Sequence, residues 1–126
     1  MRRIAMLSST KKRYMFIIYE LGNKGGIVRS IDVSRALGVK KASVSLMLPN
    51  LVQENLIERT QSGGIVFTKA GATFAGELYF KYITMYEFFR NTLGSNHEAA
   101  RNDAICCLCS MTDENATKLA KYITKS

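Results

Sequence analysis

Residues 27–67 fall into four short pieces separated by turn signals, and that punctuation leaves little choice of fold. Ser30–Leu37 carries its apolar residues at Ile31, Val33, Ala36 and Leu37, which predicts a short helix with Ser30 as its N-cap. Gly38-Val39 supplies the turn after it, because a glycine enters the left-handed region without a Cβ clash. Residues 41–54 predict a second helix, with Val44, Met47, Leu48 and Leu51 at spacings of three and four. Residues 56–60 and 65–68 then flank Gln61-Ser62-Gly63-Gly64, a hairpin signal. Helix, glycine turn, helix and hairpin is the plan of a winged helix-turn-helix, which places its second helix in the DNA major groove.

The charge points the same way. Residues 1–69 hold twelve Lys and Arg against four acids, whereas residues 70–126 hold six of each. The whole net charge of +8 therefore sits on the segment that looks like a DNA reader. At the start of its second helix, Lys40, Lys41, Ala42, Ser43 and Ser45 are the candidates for base edges and phosphates. Arg59, Gln61 and Ser62 ride on the wing, and Arg29 precedes the first short helix as a candidate phosphate ligand. Pro49 lies inside the second helix and removes a hydrogen bond to Ser45, so a kink or an early loosening is expected there.

The rest of the chain reads as helix. Residues 10–21 form a first helix with Tyr14, Phe16, Ile17, Ile18 and Leu21 as its apolar face. Lys11, Lys12 and Arg13 stand near its start, where they oppose the helix dipole, which suggests another use such as phosphate contact or pairing with an acid. Residues 68–93 form a long helix capped by Thr68, with two apolar stripes, led by Phe74 and Ala75. That surface exceeds the needs of one small core, so part of it is expected to meet a second subunit. Ser95 and Glu98 make a capping box for a helix reaching Ser110, and residues 113–125 form the last helix. The expected architecture is mainly α with a small β-hairpin wing: a winged helix-turn-helix over residues 1–70, then an all-α dimerisation domain over 71–126.

The order of these elements is similar to that of the iron- and manganese-dependent repressors, the diphtheria-toxin-repressor family. Tyr19-Glu20-Leu21, Ile31-Asp32-Val33, Ala36-Leu37-Gly38-Val39 and Ser43-Val44-Ser45 look like its first helix and helix-turn-helix. Asn55-Leu56-Ile57 and Thr68-Lys69-Ala70-Gly71 bracket the wing as in that family, and Met111-Thr112-Asp113-Glu114 looks like the start of its last helix. The chain resembles the shorter, manganese-type members, which lack a further C-terminal domain. The resemblance implies a homodimeric transcriptional regulator, most simply a repressor, on a palindromic double-stranded operator, with a divalent Mn, Fe or Zn ion as effector.

The family's ligand positions are mostly lost. By the resemblance they hold Arg13 and Phe16 on the first helix, Tyr82 on the long helix, and Ile105, Leu108 and Cys109 on the next, with Tyr86 and Arg101 at ancillary positions. Only Cys109 among these is an ordinary metal ligand, and a divalent ion needs four to six. Reduced or absent metal dependence follows, and no cofactor is assigned. A second reading keeps Cys106 and Cys109, at i and i+3, as a soft-metal or oxidation sensor with His97 or a partner subunit's cysteines. A third is an untypical metal site. In the family the ion ties the first helix to the second domain. Here an Arg13 pair with Asp103 or Glu87 is the expected substitute.

Other function classes fit less well. One histidine, no glycine-rich phosphate loop and no paired carboxylates in an apolar context argue against an enzyme. A winged helix used as a protein-binding adaptor is the remaining alternative, and it has no need for Arg29, Lys40, Lys41 and Arg59 together. No apolar run of about 18 residues is present to span a membrane, and the first ten residues lack a signal-peptide core. Three cysteines crowded into positions 106–109 do not make a disulfide framework, so a cytoplasmic setting is expected.

Overall fold

The computed structural model describes residues 7–125, so Arg2 and Arg3 of the basic excess lie outside the described residues. Helix α1 (Ser9–Asn23) starts at Ser8, whose Oγ accepts from the Lys11 amide at 3.2 Å. It buries Tyr14, Met15, Phe16, Ile17 and Ile18 in unbroken succession. A run of that kind exceeds a single stripe, because α1 is covered by α2, α4 and α5 together.

Helix α2 (Ser30–Leu37) is capped differently from the sequence expectation. Arg29, not Ser30, is the N-cap, and its amide donates to Asp32 Oδ2 at 2.9 Å. The cause lies one residue back: Val28 pairs with Ile65, which holds the chain extended up to Arg29. Gly38 ends α2 at φ 69°, the left-handed turn that its sequence predicts. Helix α3 (Lys41–Gln53) runs through Pro49 without loosening. Pro49 and Ser45 are both exposed, so this turn of the helix lies at the surface and not in the core. Buried Leu48 and Leu51 hold the helix on either side of the proline.

The wing is a two-stranded antiparallel hairpin, β1 (Ile57–Arg59) and β2 (Ile65–Phe67), with Glu58 opposite Val66. Helix α4 (Lys69–Glu87) begins under the wing, capped by Thr68, whose Oγ1 accepts from the Gly71 amide at 3.0 Å. Its last expected turn is wider than an α-helix, a π-helical segment over Phe88–Thr92. Just before it the Thr84 hydroxyl donates to the Phe80 carbonyl at 3.0 Å, a local bond that competes with the regular ladder.

Helix α5 (His97–Ser110) is capped by Asn96, which accepts from the Ala99 amide at 2.8 Å, so the expected Ser95 capping box does not form. Ser95 is spent on the preceding turn, its amide donating to the Phe89 carbonyl at 2.9 Å. Helix α6 (Asp113–Lys125) closes the chain against α4 and α5. One hydrophobic core runs from Leu7 to Ala116 and takes in Phe74, Leu78, Tyr82 and Met85 of α4. Most of the α4 surplus is therefore absorbed within the chain, while Phe80, Leu93 and Tyr122 stay exposed. No helix among the described residues is long and apolar enough to cross a membrane.

Candidate nucleic-acid interface

Helix α3 is anchored by Val44, Leu48 and Leu51, which leaves its opposite face to solvent. Lys40, Lys41, Ala42, Ser43 and Ser45 all stand exposed on it. The helix contains no acid. Its N-terminal amides and partial positive charge thus add to two lysines, an arrangement suited to phosphate. The sequence reading missed Leu46, which is 75% exposed beside Ser45. Its apolar side chain fits a thymine methyl rather than a phosphate. The signal was present, because Leu46 falls outside the Val44–Leu48–Leu51 stripe.

The wing is braced by the two arginines singled out for DNA. Arg29 Nη1 donates to the Ser62 carbonyl at 2.6 Å. Arg59 Nη2 donates to the Gly63 carbonyl at 2.8 Å and to Ser30 Oγ at 3.4 Å. Both side chains spend part of their donor capacity on the wing turn and leave the rest at its exposed rim, next to exposed Gln61 and Ser62.

Two of the three cations at the start of α1 find acids. Lys11 pairs with Glu54 at the end of α3. Lys12 is buried, and its Nζ meets Asp113 Oδ1 of α6 at 2.8 Å. Arg13 and Asp103 form no ion pair, nor do Arg13 and Glu87, and the expected tie is made elsewhere. Arg101 of α5 holds Glu20 of α1 with two bonds, Nη1 to Oε2 at 2.8 Å and Nη2 to Oε1 at 2.7 Å. Its Nη1 also donates to the Tyr82 hydroxyl at 3.1 Å. The guanidinium lies 5.9 Å from the Phe16 ring centroid and 5.6 Å from that of Tyr82, in cation–π range. Hydrogen bonding to Glu20 raises the Arg101 pKa further, against burial. Burial raises the Tyr82 pKa, and the Arg101 bond pulls it the other way.

Four of the positions assigned to metal by resemblance converge. Arg13, Phe16, Arg101 and Ile105 line one cavity of about 240 Å³, with Tyr82 behind it. The donor set does not suit an ion: the two guanidiniums, the phenyl ring and the aliphatic chains offer no lone pair, and Asn102 brings a single amide oxygen to a lining that already holds two cations. Among the described residues no three His, Cys, Asp or Glu gather as ligands would. Cys106 is exposed and Cys109 buried, so the two thiols do not share an environment. His97 does not join them: its Nδ1 is 2.7 Å from the Tyr86 hydroxyl, and it lies roughly 13 Å from Cys106 along α5.

Burial pushes the Cys109 thiol up to about 11, against the nearby charges of Arg13 and Lys12. At pH 8 it stays protonated and covered, and the thiolate is the nucleophile. A timed iodoacetamide pulse at pH 8, read by mass spectrometry, is therefore expected to modify Cys106 first and Cys109 about tenfold more slowly. Equal rates would show that Cys109 is open to solvent.

Residues 6–65 match the model of the iron dependent repressor N-terminal DNA binding domain. The chain is 33% identical over 91 residues to the transcriptional regulator MntR of Escherichia coli O6:H1, an alignment that covers 72% of this chain and 58% of that protein. The structure of the manganese regulator SloR superposes with a TM-score of 0.76 at 25% identity, over 92% of this chain and 54% of that one. The crystal structure of T. acidophilum IdeR gives the same TM-score of 0.76 at 24% identity, over 98% and 56%. The chain thus spans little more than half the length of these relatives.

Proposed function

The chain belongs to the iron- and manganese-dependent repressor family, and from that premise we propose that it is a sequence-specific DNA-binding repressor acting as a cytoplasmic homodimer. Residues 1–70 are its DNA-binding domain and 71–126 its helical dimerisation domain. Two α3 helices, one from each protomer, enter successive major grooves of a palindromic operator with half-sites about one helical turn, or a multiple of it, apart. The observation that carries this reading is the acid-free exposed face of α3, with Lys40, Lys41, Ser43 and Ser45 upon it. The braced wing supplies Arg29, Arg59 and Gln61 to the flanking backbone.

Operator binding needs no divalent ion in this reading. The support is the donor set around Phe16, Tyr82 and Arg101, where a cation is already present as guanidinium. The relatives are transcriptional regulators, and catalysis has no part in the proposal.

Substitution along α3 tests the reading. Lys41→Ala is expected to weaken binding similarly on all sequences and to reduce the slope of log affinity against log salt by about one. Leu46→Ala and Ser43→Ala are expected to leave that slope alone and change sequence preference, by about 1–3 kcal/mol at one base pair. Fluorescence anisotropy across a salt series reads both. Affinity that ignores salt and all three substitutions would remove α3 as the reader and favour the adaptor.

A further inference from the structure

We propose that Arg101 and Glu20 are positioning residues for DNA binding: a guanidinium tethered to α5 takes the structural place of a bound ion and fixes the angle of the winged helix-turn-helix to the second half of the chain. This rests on the DNA-binding reading above.

Three observations converge on the pair. It joins elements 81 residues apart in sequence, α1 in the DNA-reading half and α5 in the other. Its geometry is the strong kind, a fork of two N–H donors on two carboxylate oxygens, with side chains only 30% and 19% exposed. It is also seated on Phe16 and Tyr82 and bonded to the Tyr82 hydroxyl, so three helices, α1, α4 and α5, meet at one charge. A divalent ion at a junction does the same work, drawing oxygen donors from separate helices onto one centre. The guanidinium differs in that it never leaves.

The pair does not act alone. Lys12 and Asp113 tie α1 to α6 eight residues earlier on α1, about 12 Å away along the helix. Two fixed points on one helix resist rotation, where one point is only a pivot. Helix α1 carries α2 against it, and α3 packs on α2. The angle held at Glu20 is therefore passed to the reading helix.

In a dimer this angle sets the spacing of the two α3 helices. Loosening it lowers the fraction of dimers whose two readers match both half-sites, and apparent affinity falls by that fraction. A single half-site does not sense the spacing. A pair that contributed only stability would affect both kinds of duplex alike.

The test uses a duplex selected by the wild-type protein from a randomised pool in the presence of a chelator, and a second duplex keeping one half-site. Arg101→Met and Glu20→Gln are expected to bind the two-site duplex about tenfold more weakly, within the usual range of site-to-site coupling, and the one-site duplex as wild type does. Arg101→Lys, which keeps the charge without the fork, is expected to fall between. Thermal melting confirms that each variant is folded, and the milder Glu20→Gln carries the test if Arg101→Met is not. Unchanged two-site binding, or equal losses on both duplexes, would overturn the positioning role and leave the DNA-binding reading intact. A wild-type protein that selects no duplex, with or without manganese, would instead overturn that reading itself.

Discussion

Gly71→Ala is expected to destabilise the fold by about 3 kcal/mol or more and to lower Tm by roughly 10 °C. Gly71 lies in the first turn of α4, where alanine ordinarily favours a helix by about 1 kcal/mol. Here an added Cβ would stand 1.8 Å from the Leu56 carbonyl oxygen and 2.8 Å from its carbon. That carbonyl cannot step aside, because it accepts from the Thr68 amide at 3.1 Å and belongs to a residue 2% exposed in the core. The substitution therefore pushes α4 off the base of the wing. Circular dichroism melting reads the effect, and a Tm equal to or above wild type would show that α4 does not approach β1 this closely.

The second large effect concerns Lys12, 4% exposed and paired with Asp113. Asp113→Ala leaves a buried ammonium without its carboxylate, a loss of roughly 2–3 kcal/mol given that Asp113 is partly exposed. Removing both charges as Lys12→Met with Asp113→Ala is expected to recover most of that loss, because an apolar chain of similar length fills the same space. Urea denaturation of the wild type, the single and the double variant reads the difference. Equal losses in the single and the double variant would mean that water reaches the Lys12 ammonium.

The order of elements was legible in the sequence because its signals are local. Gly38 needs a positive φ, Thr68 needs an amide three residues on, and the stripe of Val44, Leu48 and Leu51 needs a covered side. The basic start of α1 pointed to acidic partners, and Lys11 and Lys12 have them. Which acids they are was not legible, since Lys12 reaches Asp113 across 101 positions and Lys11 reaches Glu54 across 43. No periodicity encodes pairings of that length.

The domain tie shows the same limit. The sequence points to Arg13 as the residue that ties the first helix to the second half, whereas Arg101 makes that contact. Arg13 and Arg101 line one cavity, but Arg13 shares α1 with Glu20, whereas Arg101 reaches that carboxylate from α5 and so joins two helices. The helix caps were misplaced by one residue for a related reason. Neighbouring chain had already engaged Ser95 through the Phe89 carbonyl and set Arg29 extended beside the wing. Pro49 does not end α3, which is anchored on both sides of it by buried Leu48 and Leu51.

The central claim is a salt-sensitive, metal-free DNA reader, and its most direct measurement is binding to DNA from the region upstream of the protein's own gene. Fluorescence anisotropy is recorded once with a strong chelator and once with manganese, iron(II) or zinc. Equal affinities in both, each falling steeply with salt, are the predicted result. Binding that appears only when a metal is added would contradict the account, because the charge of Arg101 would then not suffice to hold the reading posture.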